Sequence, residues 1–587
     1  MAGTVFQGTA GNPARHRERN RAIVNRQLFG AALIVLLVAA LLGLPKVASS
    51  SLSTAGTGIT YLKGQTPMNA PYGAGVTAGG IACGPRVLQV PWSNYAPPCE
   101  PAWHGNNGGA TAPGVTATTI NVSFREATSS ILNALYTLVP KDVVGTSQEA
   151  IQMMQALFNT FNKSFELYGR HVVLEPYVGK GNFITEDTGG GATQAEADAV
   201  NVADSLHAFA DISLVGSSDP YTEDLMANHV IAFQLYIHTQ QYYQQNSPWL
   251  YSPGPNCNKS ADGIAAIFGR QLRGVGAQFA GGSLKGKPIK IGVVYQNTPQ
   301  GAACTQALDQ ALQQYNLLPV KQAAVTFDLS KLGDEASSAI SEMQQAGVNT
   351  VICSGCDPIS PMFYFKSANA DHYEPEWFFQ SLYAAGATTT EKFMRLYPAS
   401  QTKHLITTGA YPLPLADAEA NTAFNLGNTD PSAKIFPSYN LVYATVLQFF
   451  DALQLAGPNL TPANFEQAMK SIPESIPGGE LAGWNGAYGP YDPSSTFQIM
   501  KWDPNGTSIA DGQKGAFELC NGGTQYPYFS NITTMPLSKP LACSIPSPTS
   551  FPKPGQQGQL KLGSAATGAV APPSAKTKTT APGKQVR

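Results

Sequence analysis

The stretch TVICSGCDP, residues 350–358, sets Cys353 and Cys356 in C-x-x-C spacing directly after a run that reads as a buried strand. A dithiol at this spacing does redox chemistry when its first thiol sits at a helix start, which lowers the thiol pKa. Here Asp357 and Pro358 put the helix start after the second cysteine. That argues for a structural loop, with a thiol oxidoreductase using Cys353 and Cys356 as the rival. A zinc half-site needs a second ligand pair, and the eight histidines (16, 104, 171, 207, 229, 238, 372 and 404) show no such spacing with cysteine or with each other. GGSLKGKP, residues 281–288, approaches the phosphate loop G-x-x-x-x-G-K-[ST], but Pro288 stands where the magnesium-binding hydroxyl belongs. The stretch also follows a helix pattern and precedes a strand, the reverse of what phosphate cradling requires. With neither a G-x-S-x-G elbow nor an H-E-x-x-H helix, the residues point to no enzyme, no metal and no cofactor.

The eight cysteines read as four disulfides if the chain is exported. Proximity pairs Cys83 with Cys99, Cys257 with Cys304, Cys353 with Cys356 and Cys520 with Cys543. Export follows from Leu28 to Leu44, seventeen apolar residues without a charge, preceded by Arg15, Arg17, Arg19, Arg21 and Arg26. That bias holds the N-terminus in the cytoplasm and places the remainder outside. Val47-Ala48-Ser49 offers a small-residue cleavage site, whereas the long basic leader (1–27) favours a retained signal anchor. The expectation is a single-pass membrane protein with its folded part outside, secreted if the segment is cut. Residues 1–27 carry +4 and residues 551–587 carry +6 against a chain total of −2, so the body carries −12. Such a body has no face to neutralise phosphates, which excludes nucleic acid as a partner.

The length of 587 residues implies several compact units. Residues 46–80 are Ser, Thr, Gly and Pro rich and read as a flexible stalk, extended by a small Cys83–Cys99 loop to residue 115. From TTINVSF (118–124) onward, strand-like runs such as HVVLEPYV (171–178) alternate with helix patterns such as IQMMQALFNTFNKSF (151–165). After the break SPWLYSPGPNC (247–257), a second series runs through PIKIGVVY, CTQALDQALQQYN, AAVTFD and DEASSAISEMQQAG to TVICSG. Such alternation predicts parallel sheets covered by helices. Two late helix patterns (439–457 and 461–472) and a late strand (495–502) require lobes built from non-contiguous pieces. Residues 511–550 read as a cysteine-containing extension, and 551–587 as a disordered basic tail.

At GVTATTINVSF, YGRHVVLEPYV, ADISLVGSSDP, KIGVVYQNTPQGAAC and GPYDPSSTFQIMKWDPNG, the chain resembles the type I periplasmic binding proteins. The likeness is to their branched-chain amino-acid branch, solute receptors for ABC importers, over roughly residues 114–510. It implies an α/β fold of two Rossmann-like lobes with parallel sheets and a three-segment hinge. Lobe 1 would span 116–250 and 412–490 and lobe 2 would span 256–410 and 494–510, with crossings near 248–256, 408–414 and 487–496. It also implies capture of a small polar solute between the lobes and delivery to an ABC permease/ATPase complex. A membrane-anchored sensor or binding module without transport is the alternative.

Ligands of doubly wound sheets sit outside the carboxyl ends of the strands. On lobe 1 this selects Arg125-Glu126-Ala127, Gly216 to Asp219 and the stretch around His238-Thr239. Ser217, Ser218 and Thr239 are the ligand candidates: hydroxyls and free N–H groups at a helix start hold a carboxylate or another acceptor, unless Ser218 or Asp219 only caps the helix. On lobe 2 the candidates are Gln300, Ser354, Asp357, Gln380 and Tyr383. Gln300 stands where the amino-acid binders carry an aromatic, and Leu382-Tyr383 where they carry an acidic residue, so a free α-amino acid fits poorly. Asp357 is either a substitute counter-ion or a helix cap; Tyr383 either encloses a ligand or packs between lobes. A Cys353–Cys356 disulfide would stiffen the loop presenting Ser354 and Asp357.

Overall fold

A computed structural model describes residues 75–84, 87–93, 95–214, 216–235, 237–355, 357–380, 388–409, 415–472, 496–528 and 532–547. The apolar segment 28–44, the tail 551–587, Cys356, Tyr383 and most of the second and third expected crossings lie outside these residues. Among the described residues, no helix is long and apolar enough to cross a membrane.

Five strands form the first sheet: β1 (Thr119–Glu126), β2 (His171–Val178), β3 (Ala210–Leu214), β4 (Ile231–Gln234) and β5 (Leu250–Tyr251). All pair in parallel in the order β2-β1-β3-β4-β5. Parallel sheets are covered on both faces, and helices do so here. On one face lies α1 (Ser147–Ser164), opened by a full capping box between Thr146 and Glu149 and burying Met153, Met154, Leu157, Phe158 and Phe161. On the other lie α2 (Ala192–Val200) and α3 (Asp219–Ala227), whose Ala195, Ala199, Tyr221 and Leu225 pack with Ala232 and Leu250.

The chain passes to the second sheet between Tyr251 and Cys257, where α4 (Cys257–Ala266) begins. This sheet contains β6 (Ile291–Gln296), β7 (Lys321–Val325), β8 (Thr350–Ser354), β9 (Glu376–Phe379), β10 (Leu405–Gly409), β11 (Thr496–Thr507), β12 (Lys514–Cys520), β13 (Tyr526–Pro527) and β14 (Cys543–Ser544). Its main path runs β14-β12-β11-β10-β9-β8-β6-β7, with β13 beside β11. Strands β6 to β10 are parallel; β11, β12 and β14 continue antiparallel. Helices α4 and α5 (Pro299–Gln313) cover one face, and α6 (Leu332–Gln345) and α7 (Ser360–Ala370) the other. Cys257 and Cys304 bond α4 to α5, and Cys520 and Cys543 bond β12 to β14.

Three helices then return to the first sheet: α8 (Leu415–Gly427), α9 (Tyr439–Ala456) and α10 (Pro462–Met469). Phe158 and Phe161 of α1 meet Phe450 of α9 at ring separations of 5.6 and 5.3 Å. Gly427 permits the close approach of α8, because a Cβ there would lie 1.8 Å from the Ala156 carbonyl.

Two sequence expectations are corrected. Residues 75–80 are not a loose stalk: Thr77 is buried, Val76 bridges Ala82, and the following Leu88, Val90 and Tyr95 enter the core of the first lobe behind the Cys83–Cys99 disulfide. Glycine-rich sequence hid these apolar anchors. Residues 511–550 are not an appendage either, since β12 places Phe517 against Trp502 at 5.0 Å and extends the second sheet.

A further pair of helices, Ser129–Tyr136 and Lys141–Val144, leaves the carboxyl end of β1 and reaches the other lobe. Leu135, Val139 and Val143 join the apolar cluster of the second lobe, and Lys392 Nζ donates to the Asp142 carbonyl at 3.3 Å. This segment clamps the lobes. Truncating Val139, 1% exposed, to Ala is expected to cost about 2 kcal/mol in urea denaturation. Val139→Asp is expected to release the clamp and raise the radius of gyration in solution scattering; unchanged scattering would show that other contacts hold the lobes.

Glu376, fully buried at the start of β9, accepts from the Phe279 N–H at 2.8 Å. Burial pushes its carboxyl up to about 7. The folded state then holds a proton that the unfolded chain releases above its ordinary value of 4.5. Stability from this group is therefore full below pH 4.5 and declines up to pH 7, by at most about 3 kcal/mol. Glu376→Gln is expected to flatten that slope in denaturation midpoints measured at pH 5 and pH 8.

Candidate ligand cleft

The carboxyl end of the first sheet is organised around a buried cation. Arg125, the penultimate residue of β1, is 1% exposed. Its Nη1 and Nη2 donate to the Glu186 carboxylate at 2.9 and 2.5 Å, and its Nε and Nη2 donate to Asp198 Oδ2 at 3.1 and 2.7 Å. Its guanidinium lies 4.3 Å from the ring centre of Tyr221. Burial works against the Arg125 charge, but the Glu186 hydrogen bonds and the Glu186 and Asp198 charges outweigh it, so its pKa is raised. Asp198 is held in turn by the N–H groups of Lys180 and Gly181 at 2.9 to 3.1 Å.

Glycines make the space. A Cβ on Gly181 would lie 2.0 Å from Glu186 Oε1, one on Gly179 would lie 2.6 Å from Arg125 Nε, and one on Gly191 would lie 2.6 Å from Glu186 Cγ. The segment between β2 and α2 is thus shaped to fold Glu186 back over the sheet.

Ser217 and Ser218 face this cluster already engaged. Ser217 Oγ donates to the Leu214 carbonyl at 2.5 Å, and Ser218 Oγ donates to Glu186 Oε2 at 2.5 Å while accepting from the Tyr221 N–H at 3.2 Å. Ser218 is the N-cap of α3, and Thr239 likewise caps the helix Gln240–Gln245. The capping alternative therefore describes both. Next to them, Asp219 Oδ1 accepts from Gln234 Nε2 at 2.6 Å and lies 3.1 Å from His238 Nε2. Gln234 Oε1 and His238 Nδ1, both buried, have no protein partner among the described residues.

On the second sheet the structure brings Ser354 and Gln380 together: Ser354 Oγ donates to Gln380 Oε1 at 2.8 Å. Gln380 Nε2 is buried and has no partner among the described residues. Gln300 lies half-buried in the first turn of α5. Asp357 accepts from the N–H groups of Ile359 and Ser360 at 2.6 and 2.8 Å, from Ser360 Oγ and from Gln296 Nε2. Burial raises its pKa against those hydrogen bonds. It closes the turn ahead of α7, two residues before the Ile359 N-cap. Cys353 is disulfide-bonded and fully buried within β8, a position that thiol exchange with an external partner does not reach. Among the described residues, no cluster of His, Cys, Asp or Glu could hold a metal ion, and no hydrogen bond joins the Ser217–Ser218 group to the Ser354–Gln380 group.

Sequence reasoning missed Arg125 as an ionic anchor, together with Glu186, Asp198 and Gln234. The available signal was the glycine density of GKGNFITEDTGGG (179–191), which marks backbone in close approach to something.

Two parallel-sheet lobes with their strand ends turned into buried polar loops define the class of two-lobed binding proteins. The periplasmic binding protein family model matches residues 145–507, more than half of the chain, and the chain belongs to that family. Among solved structures, it is similar to a fatty acid ABC transporter substrate-binding protein from Thermomonospora curvata, with 14% identity, 72% of this chain and 96% of that one covered, and a TM-score of 0.50. It is also similar to an ABC transporter substrate-binding protein of Aeropyrum pernix (13% identity, 71% and 97% covered, TM-score 0.47). A third is a branched-chain amino acid ABC transporter protein from Thermus thermophilus with bound valine (11% identity, 71% and 97% covered, TM-score 0.46). At these identities the likeness shows the fold alone. No curated protein matches the chain.

Replacing Arg125 leaves Glu186 and Asp198 buried without their counter-ion. Arg125→Ala is expected to lose about 3 to 5 kcal/mol of stability in chemical denaturation. Gly181→Ala is expected to act in the same direction, since its Cβ has no room beside Glu186. A neutral result for Arg125→Ala would show that the cluster contributes nothing to the fold.

Proposed function

We propose that the chain is an extracytoplasmic solute-binding protein that closes two lobes over a small polar molecule and delivers it to an ABC-type importer. In this reading lobe 1 comprises 116–250 and 412–490, and lobe 2 comprises 256–410 and 494–510 together with the strands beyond. The N-terminal apolar segment tethers both outside the membrane. No bond is broken; the ligand shifts a hinge equilibrium because it meets both lobes only when they are closed.

The observation that carries the reading is the placement of unused buried polar atoms at strand carboxyl ends. Gln234 Oε1 and His238 Nδ1 serve the first sheet, and Gln380 Nε2 serves the second. Buried polar groups are normally hydrogen-bonded, so three such atoms at the expected ligand position mark where a polar solute completes the bonding. The first crossing supports hinge motion around a firm base. Cys257 N donates to the His238 carbonyl at 3.0 Å, while the Cys257–Cys304 disulfide fixes the far side.

A thermal-shift screen of the full-length chain against amino acids, amides, short-chain acids, polyols and urea-like solutes tests this, because a ligand of the folded state raises Tm by mass action. Gln380→Ala is expected to weaken the binding found by about tenfold, the loss of one buried hydrogen bond. Unchanged affinity would place the site elsewhere. Silence across the screen from a folded chain would count against solute binding, and binding without any effect on uptake would assign the sensor role instead.

A further inference from the structure

We infer that the anion seat of lobe 1 is occupied by the protein's own Glu186 carboxylate, so that the captured solute is a neutral or cationic molecule presenting hydrogen-bond donors to this lobe. The inference rests on the solute-binding reading above for its ligand, and on the geometry of lobe 1 for its chemistry.

The start of α3 is the place on this lobe where a ligand carboxylate would gain most, from free N–H groups and serine hydroxyls. Most donors there are engaged within the chain, the buried Thr222 hydroxyl being an exception among the described side chains. The Asp219 N–H goes to Asp187 Oδ1 at 3.2 Å, Pro220 has none, and the Tyr221 N–H goes to Ser218 Oγ. The Ser218 hydroxyl proton goes to Glu186 and that of Ser217 to the Leu214 carbonyl. Arg125, the cation that would attract an anion, is neutralised by Glu186 and Asp198 at 2.5 and 2.7 Å. With Asp219 beside them, this strand end is rich in carboxylate oxygens, and an incoming carboxylate meets repulsion with few donors to offset it.

Among the unpartnered side-chain atoms beside Asp219, Gln234 Oε1 is an acceptor. His238 Nε2 lies 3.1 Å from Asp219 Oδ1 and 3.0 Å from Gln234 Nε2, and its unpartnered Nδ1 accepts in the tautomer that carries the ring proton on Nε2. The matching unused donor, Gln380 Nε2, lies on the opposite sheet. A solute with N–H or O–H donors at one end and a carbonyl or ether oxygen at the other fits this division. Primary amides, urea-like solutes and amines have the required chemistry, and carboxylic acids do not.

Two measurements on the full-length chain decide the matter. The first compares carboxylic acids with their primary amides on the same carbon skeletons, titrated against the wild-type protein by thermal shift and calorimetry. The amide of each binding pair is expected to bind at least about tenfold more tightly than its acid. Equal or tighter binding of the acids would overturn the inference while leaving the solute-binding reading intact. The second empties the seat. Glu186→Ala removes the equivalent of acetate, so sodium acetate is expected to raise the Tm of this variant saturably above sodium chloride at equal ionic strength. Wild type and Glu186→Gln, whose side chain still fills the seat, are expected to show no such rise. A folded Glu186→Ala variant that responds to acetate no more than to chloride would also overturn the inference. If that variant does not fold, the acid and amide pairs on wild type decide alone. Acetate rescue without binding of any other acid or amide would uphold the filled seat and remove the solute-binding reading.

Discussion

A guanidinium that is 1% exposed at the end of a central strand constrains everything around it. Arg125 keeps its charge, so the fold must supply countercharge in fixed geometry or lose the strand end. It does so from two places, 61 and 73 residues away in sequence. Glu186 arrives on a glycine-lined return after β2, and Asp198 from the last turn of α2. The same requirement sets the position of α3, because Ser218 caps that helix and holds Glu186 at once, and Tyr221 of its first turn lies across the cation. The lobe 1 loops that a binding protein would use for its ligand are thus first of all the housing of an ion cluster.

The opposite lobe is built with less constraint at its strand ends. Ser354 and Gln380 form one pair, Asp357 closes a turn, and the Gln380 amide nitrogen and the Thr408 hydroxyl have no partner among the described residues. The segment Ser129–Val144 adds a third influence, tying the exit of β1 to the apolar core of the second lobe. Moving the two sheets apart would either carry that segment along or expose Leu135, Val139 and Val143.

Much of the architecture was legible in the sequence because parallel strands covered on both faces leave simple marks. Runs such as KIGVVY and TVIC, separated by helix-period segments, became β6 and β8 with their helices, and cysteines close in sequence formed three disulfides. The ion cluster was not legible: Arg125, Glu186 and Asp198 each look like an ordinary surface charge, and only tertiary contact reveals their burial. Punctuation by Gly, Asp and Asn also concealed β12, since DPNGTSIADGQKG reads as a break although it forms the turn of a β11–β12 pair. Ser218 and Asp357 had two readings in sequence, cap or ligand contact; local hydrogen bonds make Ser218 the N-cap of α3, while Asp357 binds the turn ahead of α7, whose N-cap is Ile359.

The late return of α8, α9 and α10 bears on how the chain comes to be folded at all. Phe450 and its neighbours on α9 complete the aromatic layer over the first sheet, yet they lie beyond every parallel strand of the second. As synthesis proceeds from the N-terminus, β1 to β5 must wait with one apolar face covered only in part, by α1, until residues 439–469 emerge. The parallel core of the second lobe, β6 to β10, is complete in sequence before then. In a chain threaded outward across a membrane, that order leaves the first-made lobe as the last to be sealed and makes it the portion most in need of shielding during export.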